Sequence, residues 1–394
     1  MKILFVSSDD PNNVKSWSGT TRHMARAFES QGATCVAVRL ADVVLPFTLA
    51  KRYFWKALNY DYIRQHAAST QLQYAAHVAY LAWRHDPDVI LSTHAYPFAF
   101  ARTRAIQVCW ADACFASLAG YYPHLQRPAP VFYRTALALE RRALANLDLI
   151  LYSSQWAADG AIAAHGVEPS RVGVIPYGAN LRRAPDEKQA LSSAAQRPRD
   201  RCELISIGVD WHRKGMPKAI ALAAVLNNRG LPTRLTIVGA RPSNGETFPD
   251  FVELVGFIDK STADGERRLG ELLSRSHFHV LFSSVEACAV SLAEANAWAT
   301  PNIASNAGGV SFAVVDGQGG KVFDLFADVE DIADFIAPAV RDASAYAAMS
   351  RAARAEYDGR LNWSLSARRA IQAIAGRDPN TSGQLKQLNL GLRT

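Results

Sequence analysis

The stretch FSSVEACAVSLAEANAWATPNIASNAGGV, residues 282–310, decides how this chain folds. It is entered from a short apolar run, Phe278–Phe282, and passes through a polar loop holding Glu286. The next segment, Ala289–Trp298, has the length and spacing of a helix. Pro301 closes it, and Asn302–Ala304 begins another strand. Strand, helix and strand in that order form a βαβ unit, which implies parallel pairing. A helix opening at Ala289 and Val290 turns backbone N–H groups and a positive dipole end toward the space beyond the strand, which suits a diphosphate. Glu294 lies past the first turn. Helical side chains lean toward the N-terminus, so its carboxylate reaches back toward a ribose diol. Glu286 precedes the helix and can accept hydrogen bonds from sugar hydroxyls. A pair of solvated glutamates around an ordinary helix would give the same spacing, so the weight rests on what surrounds the stretch.

The same alternation runs outward in both directions. The sequence predicts strands at Lys2–Ser7, Thr34–Leu40, Asp88–Ser92, Ala105–Cys109 and Asp148–Tyr152, with helical stretches at Gly19–Gln31 and Tyr62–Arg84. Residues 181–200 are rich in Arg, Ala, Gln, Ser and Pro without an apolar period, which predicts an interdomain linker. Beyond it come strands at Glu203–Ile207, Arg234–Val238 and Val252–Val255 and a helix at Gly215–Asn228. The expected architecture is α/β: two Rossmann-like doubly wound domains, 1–180 and 201–360, facing across a cleft. A helix at 361–376 returns to the first domain and a polar tail, 377–394, follows. Ligands of such sheets bind outside the carboxyl ends of the strands.

Further candidates sit at those ends. SIGVDWHRKG, residues 206–215, runs from a strand into a loop with adjacent cations, Arg213 and Lys214. Arginine can grip phosphate oxygens in a bidentate fashion and lysine acts as a point charge. A cation in a loop supports no core, so Lys214→Ala is expected to lower turnover far more than stability. Asp210 and Trp211 fit a part in the site and a packing or loop-shaping part equally well. In SWSGTT, residues 16–21, Gly19 opens a helix whose backbone can approach a ligand, with Trp17 beside it. His94 closes the run DVILSTH, and Asp112 follows the next strand in the same way. Trp17 and Asp112 are acceptor-side candidates. No metal is expected: Asp86-Pro87-Asp88 precedes its strand and fits a turn, and His277 and His279 have no further ligands in a binding pattern.

The 394 residues suffice for two domains, and with 49% apolar residues each can bury a core. A net charge of +7, from 43 basic and 36 acidic residues, suits an anionic partner without choosing one. No nucleic acid partner is expected, because zinc-finger spacing, a basic helical arm and an RNA-binding signature are all missing. No apolar run reaches membrane-spanning length, and Met1–Val6 is too short for a signal peptide. Five scattered cysteines suit free thiols in a reducing, cytoplasmic setting. Lys51-Arg-Tyr-Phe-Trp-Lys56, with Phe47 and Leu49 upstream, mixes cations and aromatics. It fits a helix lying in a lipid interface, giving peripheral contact at the inner face of the cell membrane, and it also fits a core helix with a charged outer face.

Taken together, IGVDWHRKG (207–215), the Glu286/Glu294 pair, TPNIASNAGGV (300–310) and VVDGQGG (314–320) resemble glycosyltransferase family 4, of the GT-B fold. LILYSSQW (149–156) and VIPYGAN (174–180) resemble the end of that family's N-terminal domain. The resemblance is weakest between about Val43 and His85. It implies retaining transfer of a hexose-type sugar from a nucleotide-sugar donor, UDP- or GDP-linked, to a saccharide or lipid-linked acceptor, with no cofactor. By position it makes Arg213 and Lys214 the phosphate cations, Glu294 the ribose ligand and Glu286 the sugar-contacting glutamate. It also implies that His94 is the histidine at a strand end, Gly19 the glycine loop, and Gly308 and Gly309 the donor-facing glycine pair. The chain departs from the family at Ala287, Ala289 and Ala299, where glycines are common, and at Val209, where an arginine is common and Arg213 is the substitute. A nucleotide-sugar epimerase, or a catalytically silent nucleotide-sugar binder, would share the architecture.

Overall fold

The computed structural model describes residues 1–13, 16–41, 46–122, 125–242 and 247–377. The chain divides into two compact units, one of Met1–Ile175 with the residues from Ser364 onward, the other of Pro176–Trp363.

The first unit carries a six-stranded parallel sheet of β1 (Lys2–Ser7), β2 (Thr34–Arg39), β3 (Val89–Ser92), β4 (Ile106–Ala111), β5 (Leu149–Tyr152) and β6 (Val172–Val174), in the order β2-β1-β3-β4-β5-β6. Ile3 to Val6 and Val89 to Leu91 are buried without alternation, because helices cover both faces of a parallel sheet. Helix Thr20–Ser30 buries Met24, Ala27 and Phe28 against it. Phe28 meets the edge of Trp110, whose indole N–H donates to the Ile175 carbonyl at 3.0 Å. The stretch expected as one helix from Tyr62 to Arg84 is broken. A single 3₁₀ turn, Arg64–His66, is followed by extended Ala67 and then by helix Ala68–His85. The His66 ring lies 4.1 Å from that of Phe115, and this packing overrides the local periodicity.

The second unit repeats the architecture with β7 (Cys202–Gly208), β8 (Thr233–Gly239), β9 (Val252–Gly256), β10 (Phe278–Leu281), β11 (Asn302–Ser305) and β12 (Gly320–Phe323), in the order β12-β11-β10-β7-β8-β9. All the pairings are parallel. Its core gathers Leu204, Leu222, Leu235, Val280 and Ile303 under helices Met216–Asn228 and Val329–Arg341.

The interdomain linker expected at 181–200 is not one. Asp186 caps a helix, Glu187–Ala195, by accepting from the Gln189 N–H at 2.7 Å. Ala190 and Ala194, one turn apart, pack on Ala299 of the second unit. Arg197 is 3% exposed and donates to the carbonyls of Ser274, Trp298 and Ala299, to Thr300 Oγ1 and to the Tyr346 hydroxyl, at 2.7–3.0 Å. Small residues at helical spacing make a weak apolar signal, and an arginine that hydrogen-bonds inside a core looks like surface charge in a sequence. From Ser364 on, helix Trp363–Ala375 belongs to the first unit, where Ser364 Oγ accepts from Gln31 at 3.0 Å. The tail expected at 377–394 lies, from residue 378 on, outside the described residues.

In each sheet the winding reverses once, at β1/β3 in the first unit and at β7/β10 in the second. The crevice beyond the carboxyl ends of those two strands is where such sheets bind ligands.

Candidate functional site

In the second unit, both loops at the reversal carry predicted residues. The loop after β7 is wound tightly. The Arg213 N–H donates to Asp210 Oδ1 at 3.0 Å, the Lys214 N–H to the Asp210 carbonyl at 3.1 Å and the Gly215 N–H to the His212 carbonyl at 3.0 Å. Trp211 turns inward against Phe248, so the packing reading of Asp210 and Trp211 is the one realised. Gly215 has a left-handed φ of 71°, and a Cβ there would lie 2.2 Å from the Phe282 carbonyl oxygen. Only glycine lets this loop lie against the loop after β10, where the Ser284 N–H donates to the Arg213 carbonyl at 2.9 Å.

The result is a compact charged group. Lys214 Nζ pairs with Glu286 Oε2, Arg213 reaches the same oxygen at 3.5 Å, and Ser283 Oγ donates to it at 3.3 Å. Arg213 also donates to the Val285 carbonyl at 3.2 Å. The Glu286 side chain is 5% exposed, those of Lys214 and Arg213 12% and 18%. The Glu286 carbonyl accepts from the Gly309 N–H at 3.1 Å, and Gly308 takes a positive φ of 55°, so the glycine pair joins the group through the backbone. Helix Val290–Ala297 begins after Ala289, as the N-cap, and carries Glu294. Glu294 is 2% exposed and does not meet Glu286's partners: its Oε1 accepts from Lys260 Nζ at 2.5 Å. Lys260, 34 positions away on the loop after β9, had no signal in the sequence.

In the first unit, Trp17, Ser18 and Gly19 have φ of 51°, 56° and 83° in succession before the helix Thr20–Ser30. Two non-glycine residues in this region hold roughly 1–2 kcal/mol of strain each, the kind of strain that clusters at ligand sites. The turn lays Trp17 on His94, with ring centroids 5.6 Å apart, and Tyr96 also stacks with His94, at 4.9 Å. The Tyr96 hydroxyl donates to Ser8 Oγ at 2.6 Å, tying the loops after β1 and β3 together at the reversal. Desolvation, reinforced by His66, lowers the His94 pKa to about 4, so the ring is neutral near pH 7. His66, whose ring is edge-on to Tyr96, is held neutral in the same way. It escaped the sequence reading because it sits in what looked like helix interior. Asp112 follows β4, the neighbour of β3. Cys114, two positions after Asp112, converges with Glu140 and His165 from elsewhere in the chain. There the Glu140 carboxylate already accepts from the Phe115 and Ala116 N–H groups and from His165 Nε2, at 2.6–3.1 Å.

His277 and His279 are structural. His277 takes the Glu203 N–H on Nδ1 at 3.0 Å and gives its Nε2 proton to the Pro198 carbonyl at 2.6 Å. His279 Nδ1 bonds Asn302 Oδ1 at 2.8 Å.

The model of the family described as Glycosyltransferase Family 4 matches residues 20–183, and that of Glycosyl transferases group 1 matches residues 187–356. A D-inositol 3-phosphate glycosyltransferase of Gordonia bronchialis is 25% identical over 269 residues, 64% of this chain and 58% of the relative. One of Rhodococcus erythropolis is 26% identical over 46% of this chain and 43% of its own length. The chain thus spans about half the length of these curated relatives. Among solved structures, a sucrose-phosphate synthase from Thermosynechococcus elongatus superposes with a TM-score of 0.66 at 18% identity, over 94% of this chain and 97% of that one. The Anabaena protein Alr3699/HepE, solved in complex with UDP, gives 0.65 at 17% identity, over 95% and 100%. With both domain models matched in order on two doubly wound sheets, the chain belongs to glycosyltransferase family 4, of the GT-B fold.

Proposed function

We propose that this chain is a retaining glycosyltransferase that moves a hexose-type sugar from a UDP- or GDP-linked donor to a saccharide or lipid-linked acceptor, without a metal ion. The observation that carries this reading is the Arg213–Lys214–Glu286 group at the β7/β10 reversal. As the glycosidic bond breaks, negative charge develops on the diphosphate, and two preorganised cations meet it; such electrostatic stabilisation is often the largest catalytic contribution. The acceptor attacks from the face the diphosphate leaves. Glu286 receives hydroxyls of the donor sugar and Glu294 the ribose diol. Neutral His94, stacked with Trp17 and Tyr96, serves as a hydrogen-bonding group rather than a charge, and Trp17 and Asp112 belong to the acceptor side. The structural neighbour solved in complex with UDP supports the donor class, and the curated relatives named D-inositol 3-phosphate glycosyltransferase support sugar transfer.

The helix Pro46–Ala57 favours a lipid-linked acceptor. Phe47, Leu49, Tyr53 and Phe54 are 48%, 42%, 70% and 57% exposed among Lys51, Arg52 and Lys56. A core helix would bury those rings, so the reading as an interfacial helix at the inner face of the cell membrane is adopted. No helix among the described residues is long and apolar enough to cross a membrane.

The test is a thermal-shift screen of the full chain against UDP-, GDP- and dTDP-sugars, followed by turnover with the stabilising donor in the presence and absence of EDTA. Stabilisation by one donor class, turnover insensitive to EDTA and retained anomeric configuration are expected. Loss of turnover with EDTA, restored by magnesium or manganese, would overturn the metal-free mechanism.

A further inference from the structure

We propose that Lys260 is an internal competitor for the donor nucleotide, occupying the ribose carboxylate of Glu294 until the nucleotide displaces it. The inference rests on the assignment of Glu294 to the ribose. Glu294 lies on a helix whose neighbouring residues Leu292, Ala293 and Ala295 are buried, and its own side chain is 2% exposed. A carboxylate so enclosed needs a partner, and Lys260 Nζ supplies it at 2.5 Å.

The backbone under Lys260 is fixed. Asp259 Oδ1 accepts from the Ser261 N–H at 2.9 Å and its hydroxyl at 2.6 Å, while the Asp259 carbonyl accepts from Thr262 Oγ1 at 3.0 Å. Thr262 Oγ1 in turn accepts from the Gly265 N–H at 3.0 Å, capping the helix Ala263–Arg275. A Cβ on Gly265 would lie 2.1 Å from the Asp259 carbonyl oxygen, so glycine is what allows helix and turn to lock together. What can move is the four-carbon stem of Lys260. Its side chain is 27% exposed and has a way into solvent, which that of Glu294 lacks. A ribose diol brings two neutral O–H donors to the same carboxylate. Binding exchanges the ammonium for the diol and returns the ammonium to water.

The exchange lowers the apparent affinity by the fraction of molecules in which the pair is closed. It acts on the ribose and therefore equally on ribonucleotides of any base. The pair keeps the buried carboxylate neutralised when the nucleotide is absent and sets how much donor is needed to open the site.

Calorimetry of the full chain with UDP, GDP and dTDP tests this, using wild type, Lys260→Met, Lys260→Ala and Glu294→Gln. Both Lys260 variants should bind ribonucleoside diphosphates roughly three- to tenfold more tightly, the range expected for losing a partly exposed ion pair that opposes binding. The factor should be the same for UDP and GDP and smaller for dTDP, which lacks one hydroxyl of the diol. Glu294→Gln should weaken binding by about tenfold or more. Unchanged or weaker binding by both Lys260 variants, with Glu294→Gln weakened, would overturn the competitor and leave the ribose assignment standing. An unaffected Glu294→Gln, or no binding of any of the three to wild type, would overturn the assignment and the competitor with it.

Discussion

Replacing Lys214 by methionine isolates what the cation does for the fold from what it does for a ligand. From the sequence, a loop cation supports no core, and its loss should spare stability. The geometry predicts otherwise. Lys214 is the nearest partner of Glu286, whose side chain is 5% exposed. Methionine fills similar volume but removes the close ammonium, while longer contacts such as those with Arg213 at 3.5 Å and Ser283 Oγ at 3.3 Å stay. Stranding one member of a buried ion pair costs about 3–5 kcal/mol. The remaining guanidinium and hydroxyl offset part of this, so about 2–3 kcal/mol is expected. At about 2–4 °C per kcal/mol for a unit of this size, Tm of the second unit should fall by roughly 4–12 °C.

Glu286→Gln removes the charge that needs compensating, so the double variant should lose less than the sum of the singles, with a coupling of about 1–2 kcal/mol. Thermal and urea unfolding of the four proteins measures both quantities. A Tm for Lys214→Met within about 1 °C of wild type, or strict additivity in the cycle, would refute the argument. Lys214 would then face solvent for most of the time, and its part in the site would rest on ligand binding alone.

Arg197→Met should be more damaging, by more than about 3 kcal/mol in urea unfolding, because it strands three buried carbonyls, a threonine hydroxyl and the Tyr346 hydroxyl together. Acid should unfold the chain early. Burial lowers the pKa of His66, His94, His277 and His279 to about 4, against about 6.5 when unfolded. The unfolded chain therefore takes up protons first, and stability present above pH 6.5 is lost as pH falls toward 4. The slope is about 1.4 kcal/mol per pH unit for each such histidine, and urea midpoints unchanged from pH 7 to pH 5 would contradict it. Ala299→Gly should change stability by less than about 1 kcal/mol although Ala299 is fully buried, since relief of its left-handed φ of 53° offsets the lost methyl; a loss above about 2 kcal/mol by calorimetry would contradict this.

The parallel strands were legible because a sheet covered on both faces leaves unbroken apolar runs such as ILFV at 3–6 and VIL at 89–91. The residues at strand ends, His94 and the loop holding Arg213 and Lys214, were legible for the same reason: once the strands are found, their carboxyl ends are known. The helix Glu187–Ala195 was hidden by its chemistry. Alanines four apart bury little area each, and the arginines around them suggested solvent. The pairing of Lys260 with Glu294 was hidden by distance along the chain, since a contact across 34 residues leaves no local period. At Ala299 the expected glycine has a visible physical basis. The residue follows the end of helix Val290–Ala297 with a left-handed backbone, where glycine is the usual choice.

The charges divide the proposed work between the units. In the first, desolvation keeps His94 neutral, and its stacking with Trp17 and Tyr96 fixes the ring plane, so it offers direction without charge. In the second, two cations that are 18% exposed or less share the Glu286 carboxylate, and Asp210 Oδ2, 3.5 Å from Arg213 Nε, completes a balanced set of charges. Without Glu286, Lys214 would lose its buried carboxylate, while Arg213 would still hold Asp210 and the Val285 carbonyl. With Glu286, both cations stay in place before any anion arrives, so little reorganisation is required when charge develops on a leaving diphosphate. Glu286 thus does two things in this proposal: it holds the cations ready, and it accepts sugar hydroxyls. Glu286→Gln should separate them, because glutamine still hydrogen-bonds a hydroxyl but no longer anchors two cations. Turnover should fall in kcat more than in KM, and the cation-anchoring role fails if KM alone rises.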